Sequence, residues 1–266
     1  MKFANKIQGL RGLWPFDNRW QLILSRILFP QNSLLVYKKG DLEVLVDHAG
    51  CDQNGTRLCL ISDIYTRFLP KMSLGEEISV FDLGANGGGF PLMLLLNGKR
   101  LSRLVCVEMN PNTYRRLQYN VTRNVPGEPT LINGAVCGEH RQFELSLGRG
   151  DISDSIYAPQ SASSSEGRQR YVIEGYTFDE LFRAQFGAAI VDICKMDIEG
   201  AEYEVMATPG HQCLRACRYL LVELHTTPPE RLEQFVSELE SAGFALLDPG
   251  ENKISGERLY VNNHLQ

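Results

Sequence analysis

A glycine-rich turn and two acidic residues of this 266-residue chain have the types and spacing needed to bind a nucleoside. An apolar run reaches Asp82 and is followed by Gly84, Asn86 and Gly88, after which an amphipathic segment begins. That order is typical of a strand, a tight turn and a helix N-terminus, where backbone N–H groups are open to a ligand. One helix and one strand later, Glu108 ends a second apolar run and can accept hydrogen bonds from both ribose hydroxyls. The pattern predicts an adenosine-containing cofactor.

The glycine spacing distinguishes between two such cofactors. A turn that binds a pyrophosphate has the spacing G-x-G-x-x-G, but Asn86 stands where its second glycine would be. The carboxylate of Asp82 would repel a pyrophosphate, whereas it would attract the ammonium group of S-adenosylmethionine (SAM). We therefore expect SAM rather than NAD. An NAD-dependent oxidoreductase is the alternative enzyme class.

Acidic and histidine side chains also follow two later predicted strands. Asp197 follows the run at 189–196, and His225 ends the run at 218–225. Ligands of open α/β sheets bind beyond the carboxyl ends of the strands. An acceptor hydroxyl is a poor nucleophile and must lose a proton, so we expect His225 to act as general base. Glu223, two residues back on the same strand face, would orient it; the alternative is a histidine that only caps the strand.

The same region allows a second interpretation as a metal site. Asp197, Glu199, Glu223 and His225 together would offer oxygen-rich ligands to Mg²⁺ or Mn²⁺. Glu199 and Glu202, however, are also expected in the first turn of the next helix, where the helix dipole favours carboxylates. Since that position accounts for them without an ion, we expect no required metal. Asp197 then contacts the SAM amino group or orients the acceptor.

The hydrophobic pattern after residue 77 alternates between strands and helices. Strands are predicted near 78–83, 103–108, 130–136, 189–196 and 218–225, and helices near 88–97, 111–123, 177–185, 199–207 and 229–242. This alternation predicts an α/β fold with a doubly wound, mostly parallel sheet and helices on both faces. The segments 244–247 and 258–262 would add a last pair of strands. A serine-rich segment, 148–170, lacks periodicity and is predicted to be a mobile surface loop, either a lid or an insertion.

The first 70 residues form a separate part of the prediction, ahead of the cofactor-binding domain at 71–266. It comprises a mainly helical arm over 1–30, a hairpin over 33–47 that turns at 39–41, and a helix over 53–68. Residues 1–40 hold seven of the 27 basic residues and a single acid, Asp17. We expect the arm to pack on the domain or on a second subunit, as in a homodimer. Contact with an anionic membrane surface or an anionic acceptor is the alternative.

Composition restricts the class of protein further. The net charge of −5 argues against general nucleic-acid binding, which requires a basic face. No apolar run is long enough to span a bilayer, no signal peptide opens the chain, and the seven cysteines form no disulfide framework. These features predict a cytoplasmic protein.

Four ordered motifs resemble those of the FkbM family of SAM-dependent methyltransferases. They are D-x-G-A-N at 82–86, E-x-N-P at 108–111, K-x-D-x-E-G-x-E at 195–202 and E-L-H at 223–225. The resemblance implies a Rossmann-like class I methyltransferase fold, with seven strands of which the last is antiparallel. It also implies methyl transfer to hydroxyls of sugars or secondary metabolites.

The resemblance also suggests roles for individual residues. The methionine end of SAM would be held by Asp82, Gly84, Asn86 and Gly88, and the ribose by Glu108. The adenine would be flanked by Met109 and the turn Asn133, Gly134 and Ala135, with Ser155 in the loop beyond. We predict an O-methyltransferase acting on a glycan or secondary metabolite; the non-enzymatic alternative is a SAM-binding module without turnover.

Overall fold

The fold is described from a computed structural model that covers residues 12–150, 154–157, 167–251 and 255–266. Its main element is a seven-stranded sheet in the order β11-β12-β10-β9-β3-β4-β5. The strands of this sheet are β3 (Glu77–Leu83), β4 (Arg100–Glu108), β5 (Thr130–Asn133), β9 (Val191–Met196), β10 (Cys217–Leu224), β11 (Phe244–Asp248) and β12 (Gly256–Asn262). The neighbouring strands from β10 to β5 pair in parallel, and β12 is antiparallel to both β10 and β11. The predicted fold class is confirmed.

Among the described residues, five helices lie between the strands of this sheet along the chain and cover both of its faces, and two others precede its first strand. They are α1 (Arg19–Leu28), α2 (Thr56–Ile61), α3 (Gly89–Leu96), α4 (Pro111–Asn124), α5 (Phe178–Phe186), α6 (Glu202–Ala207) and α7 (Pro229–Ser241). The predicted bounds of α3, α4, α5 and α7 differ from these by one residue at most. None of the helices in the described parts of the chain is both long and apolar enough to cross a membrane.

Two hydrophobic clusters bury the two faces of the sheet. Val80 belongs to one cluster and Phe81 to the other, because successive strand residues point to opposite faces. The ring of Phe81 lies 5.3–6.3 Å from those of Phe178, Phe182 and Phe186, which recur every four residues along α5. Burying a phenylalanine side chain contributes roughly 1.5–3 kcal/mol. This packing holds β3 in place, and with it the glycine turn that follows.

Three predicted elements are interrupted in the structure. The strand over 130–136 is split at Gly134, where a Cβ atom would lie 2.8 Å from the Tyr176 ring, so β6 (Ala135–Val136) joins another sheet. The helix over 53–68 ends at Ile61, since the Ser62 hydroxyl donates to the Leu58 carbonyl and accepts from the Ile64 N–H. A 3₁₀ helix, Thr66–Lys71, follows it.

The third interruption concerns the acidic turn after β9. The helix predicted over 199–207 begins only at Glu202, because Glu199 and Gly200 have φ angles of 55° and 97°. The Glu202 carboxylate accepts hydrogen bonds from the N–H groups of Ile198 and Gly200 and so closes this turn. The expectation that Glu199 lies in the first turn of the helix was wrong. A positive φ at a residue other than glycine is uncommon and often marks a functional position.

A three-stranded sheet, ordered β6-β8-β7, was absent from the prediction. Strands β7 (Arg141–Leu147) and β8 (Gln169–Tyr176) form an antiparallel pair on either side of the serine-rich segment. The apolar residues Phe143, Leu145 and Leu147 alternate along β7 and could have indicated it. Residues 151–153 and 158–166 of the predicted loop lie outside the described residues.

The predicted N-terminal hairpin is confirmed as β1 (Leu34–Lys39) paired with β2 (Leu42–Asp47). It is attached to α4 by two asparagines. Asn120 bonds the N–H and C=O groups of Leu45, and Asn124 bonds those of Glu43. Of the arm predicted over 1–30, residues 19–28 are helical and residues 1–11 lie outside the described part of the chain.

Candidate active site

A cavity of about 370 Å³ opens at the carboxyl ends of the central strands, as the sequence predicts. Its volume is within the roughly 300–1,000 Å³ typical of small-molecule sites. Eight predicted site residues line it, namely Gly84, Asn86, Glu108, Met109, Gly134, Ala135, Asp197 and Glu223, and Glu199 lines it as well. The predicted residues Asp82, Gly88, Asn133, Ser155 and His225 do not line it.

The glycine turn after β3 fits closely against the end of β9. Gly84 has a φ of 75°, and a Cβ atom there would lie 1.7 Å from the Asp197 carbonyl oxygen. Asn86 also has a positive φ of 49°, and its side-chain oxygen accepts hydrogen bonds from its neighbour Gly87 N–H and from the Thr56 hydroxyl. Gly88, with a φ of 86°, packs against α4 behind the cavity. The turn therefore brings bare backbone to the cavity wall.

Glu108 is held by the backbone of two turns at once. Its two carboxylate oxygens accept hydrogen bonds from the Asn86 N–H at 2.9 Å and the Asn110 N–H at 2.8 Å. Burial raises its pKa to about 7, although these two hydrogen bonds favour the ionised form. Each oxygen keeps a lone pair, so the carboxylate can also accept hydrogen bonds from a ribose.

The predicted adenine end of the cavity is lined by Met109, Gly134 and Ala135. Asn133 lies behind them, where its side-chain amide donates to the carbonyls of Glu108 and Met109 and so fixes their positions. Ser155 also acts indirectly, because its hydroxyl donates to the Glu199 carbonyl at 2.7 Å.

A buried lysine lies beneath the glycine turn. The Lys195 ammonium lies 3.4 Å from Asp82 and 3.2 Å from Asp197, and it donates to the Gly84 carbonyl at 2.7 Å. Burial alone would lower the pKa of Lys195, but the carboxylates of Asp197 and Asp82 raise it above the ordinary value. Asp82 is fully buried behind the cavity lining, and its charge is balanced by Lys195, which itself lines the cavity. Asp197 remains at the surface, where it also accepts a hydrogen bond from the Tyr65 hydroxyl.

His225 lies between two carboxylates at the end of β10. Its Nε2 is 3.0 Å from Glu199 and its Nδ1 is 3.3 Å from Glu202, which is fully buried. Burial opposes protonation, but these two carboxylates outweigh it and raise the pKa of His225 to about 11. The ring is therefore an imidazolium at neutral pH. An imidazolium has no free lone pair with which to accept a proton.

Glu223 is a carboxyl group at the cavity surface whose oxygens form no hydrogen bond or ion pair within the described ranges. Burial raises its pKa to about 8, and the nearby charges of Asp197 and Glu257 add to that shift. A raised pKa makes a carboxylate a stronger base than an exposed one.

One group in the described part of the chain has metal-ligand geometry. Asp197, Glu223 and His225 each offer an atom, and these atoms lie within 4.8 Å of one another. Both nitrogens of His225 already face carboxylates, so an ion could take this ligand only by displacing a proton and an ion pair. The donor set in this arrangement does not fit a resident metal.

Several residues that line the cavity were missed from the sequence. The segment between β2 and β3 contributes Asn54, Gly55, Thr56, Leu58, Cys59, Ile64 and Tyr65, which the prediction placed in a separate N-terminal part. Beyond the three-stranded sheet, Asp154 and Ile156 also reach the cavity. Long-range contacts such as Thr56–Asn86 and Tyr65–Asp197 bring the first group to the cavity, and they join residues 30 and 132 positions apart.

The family described as methyltransferase FkbM domain matches residues 82–246 of the chain, which is more than half of its length. The chain belongs to the FkbM methyltransferase family. No curated protein matches the chain significantly. A crystal structure of methyltransferase FkbM from Methylobacillus flagellatus KT is 16% identical, with a TM-score of 0.50. The alignment covers 75% of this chain but only 47% of that one, so the chain spans about half the length of that protein.

Two further solved structures are similar at lower scores. M. jannaschii TYW2 in complex with AdoMet is 12% identical, covers 86% of this chain and 85% of that one, and has a TM-score of 0.39. M. capricolum TrmK in complex with S-adenosyl-homocysteine (SAH) is 12% identical, covers 78% of this chain and 73% of that one, and has a TM-score of 0.43.

The residues of the cavity fit SAM, the methyl donor expected from the sequence. The Glu108 carboxylate is oriented by two backbone donors and remains able to accept from hydroxyls. The carboxylate of Asp197 lies at the cavity surface beside the glycine turn, where it can attract an ammonium group. Gly89 and Phe90, at the N-terminus of α3, also line the cavity.

Proposed function

We propose that this SAM-dependent methyltransferase transfers a methyl group to a hydroxyl of a glycan or secondary metabolite. The observation that carries the proposal is the set of three carboxyl groups, Asp197, Glu199 and Glu223, which line the cavity at its β9 and β10 side. Glu108 lies on β4, three strands from β10, so the carboxyl groups are separate from the predicted ribose contact. Carboxylates are good acceptors for the several hydroxyls of a sugar.

Bound SAM supplies an electrophilic methyl group, and the residues of the chain supply orientation and proton transfer. The glycine turn and Glu108 bind the nucleoside, Asp197 attracts the ammonium group of SAM, and Glu199 orients the acceptor. We assign the general base to Glu223, since its carboxylate lines the cavity and lacks a competing partner among the described residues. The acceptor hydroxyl proton passes to a Glu223 carboxylate oxygen. His225, which the sequence predicts as the base, acts in this proposal as a cation that positions Glu199.

The acceptor class is tested with SAM labelled in its methyl group. The chain is incubated separately with methyl glycosides, with amino sugars blocked at their hydroxyls, and with total RNA. The proposal predicts label in the glycosides as an ether that resists alkali. Label that enters only the amine or RNA fraction would contradict it.

The base is tested with two matched variants, Glu223→Gln and His225→Gln. Since the base acts in its ionised form, the wild-type turnover number should rise with pH and level off above the Glu223 pKa of about 8. Glu223→Gln should lower the turnover number by roughly 10²–10⁴-fold and remove this rise, with SAH affinity nearly unchanged. His225→Gln should keep the rise. The opposite pattern would restore His225 as the base.

A further inference from the structure

The N-terminal helix and its flanks expose an unusual amount of apolar surface. Seven large apolar side chains between residues 14 and 34 are each at least 49% exposed. We name them the N-terminal patch: Trp14, Trp20, Leu24, Ile27, Leu28, Phe29 and Leu34. Isolated exposed apolar residues are common, whereas a contiguous group of this size marks an interaction surface.

Helical geometry places most of this patch on one side of α1. Trp20, Leu24, Ile27 and Leu28 recur at positions i, i+4, i+7 and i+8 and therefore share one face. Leu22 points the other way and is the one buried residue of the helix. The arm was expected to pack on the domain or on a second subunit, and within the chain α1 buries Leu22 alone and leaves its apolar face exposed.

The charges around the patch are nearly all positive. Arg19 and Arg26 lie two turns apart along one edge of the helix, and neither forms an ion pair with another described residue. Lys39 lies nearby and donates to the Pro15 carbonyl. Asp17, the sole acid in residues 1–40, accepts a hydrogen bond from the Gly40 N–H.

We propose that the N-terminal patch docks this methyltransferase on an anionic lipid bilayer. A helix with an apolar face, arginines along one edge and tryptophans beside it is typical of segments that lie in the interface of an anionic membrane. Trp14 and Trp20 are 5.6 Å apart in an edge-to-face pair, and the Arg19 guanidinium lies 5.2 Å from the Trp14 ring centre. This places a cation beside two residues that favour the depth of lipid headgroups.

Charge disfavours a second copy of the chain as the occupant. A two-fold contact through this face would place the same patch on both sides, and therefore Arg19 and Arg26 of both copies at one interface. The two copies would then repel each other, because a single acid, Asp17, stands against the basic residues of this segment. Anionic headgroups complement the same charges instead.

The test measures co-sedimentation of the full chain with vesicles. Binding is compared between phosphatidylcholine vesicles and vesicles that also contain phosphatidylserine, without SAM, so it does not depend on methyl transfer. We expect binding to the anionic vesicles that weakens with salt. Arg19→Gln with Arg26→Gln should weaken it roughly 30-fold, and Leu24→Ser with Ile27→Ser at least about tenfold.

A matched control is Leu246→Ser with Leu247→Ser on β11. These leucines are 49% and 41% exposed but lie outside the N-terminal patch, so vesicle binding should stay unchanged. Sedimentation velocity on the same proteins, with circular dichroism to verify folding, completes the test. Absent vesicle binding, binding that the patch variants do not weaken, or a dimer that only the patch variants dissociate would each overturn the proposal.

Discussion

At the scale of single residues, the glycine turn illustrates how steric limits shape the site. Gly84 and Gly98 share a φ of 75°, but only Gly84 has a close neighbour, the Asp197 carbonyl oxygen. Gly98 has no atom within 4 Å of a built Cβ. An alanine would therefore suffer the same backbone strain at both positions, but only at Gly84 would it also collide with the end of β9.

We predict that Gly84→Ala lowers the free energy of unfolding by about 3 kcal/mol or more, because the alanine both strains the backbone and displaces Asp197. Gly98→Ala should cost only about 1–2 kcal/mol, the price of a left-handed alanine. Urea unfolding of the two variants measures the difference. Equal losses would show that the turn does not depend on its contact with β9.

The cation at His225 gives a second prediction at this scale. Its pKa is raised from 6.5 to about 11 by Glu199 and Glu202. A raised pKa in the folded state means that the stabilisation is fully present below pH 6.5 and disappears as the pH rises through about 11. His225→Gln should therefore destabilise the chain by about 3 kcal/mol at low pH, and by progressively less as the pH increases.

The control for this variant is His140→Gln. His140 also contacts two carboxylates, Glu174 at 2.7 Å and Glu180 at 3.0 Å, but it is an exposed residue. Solvent screens such pairs, so its replacement should change the stability much less. Urea unfolding between about pH 6 and about pH 9 follows both variants. A loss at His225 that does not depend on pH would contradict the imidazolium assignment.

Single residues also show what the sequence can predict. Glu108 and Asn86 could be found, since their positions follow from the strand-turn-helix pattern. The partners of Lys195 could not. From the sequence, Lys195 was expected to pair with Glu199 or Glu202, but the structure pairs it with Asp82 and Asp197 because three strands end at one edge.

At the scale of elements, the N-terminal hairpin is connected to the cofactor turn through α4. Asn120 is fully buried and bonds Leu45 on β2, and its amide also donates to the Gly87 carbonyl at 2.8 Å. Asn124, one turn later, bonds Glu43 on the same strand but does not reach the turn. Replacing each asparagine therefore distinguishes the contact with the hairpin, which both make, from the contact with the glycine turn, which Asn120 alone makes.

We predict that Asn120→Ala and Asn124→Ala both lower the free energy of unfolding, by about 1–3 kcal/mol for each backbone group left unpaired in a buried position. Only Asn120→Ala should weaken SAH binding, because only it releases Gly87. Calorimetric titration with SAH and urea unfolding distinguish the two effects. Equal weakening of SAH binding in both variants would show that the hairpin as a whole, rather than this contact, supports the turn.

The regular elements were predictable where periodicity is strong, as in α4 and α5. The three-stranded sheet was missed because its two long strands are separated by a segment of 21 residues, 148–168, with no periodic pattern. The contribution of residues 54–65 to the cavity was missed for another reason. Those contacts depend on tertiary folding over long sequence separations, for which single-residue patterns carry no signal.

At the scale of the whole molecule, the two functions that we propose belong to two different surfaces. The cavity at the carboxyl edge of the sheet is acidic, with Asp197, Glu199 and Glu223 in its lining. The N-terminal patch is apolar and edged by basic residues. Opposite charge at the two surfaces would direct an anionic bilayer to the patch and leave the cavity for a hydroxyl-rich acceptor.

Calorimetric titration of the chain with SAH, and separately with NAD⁺, tests the central claim most directly. We predict one equivalent of bound SAH, no heat from NAD⁺, and an SAH affinity that falls as the pH drops below the Glu108 pKa of about 7. The fall is expected because a protonated carboxyl group loses acceptor capacity for the ribose hydroxyls, by up to about tenfold per pH unit. Binding of NAD⁺ without binding of SAH would contradict the account.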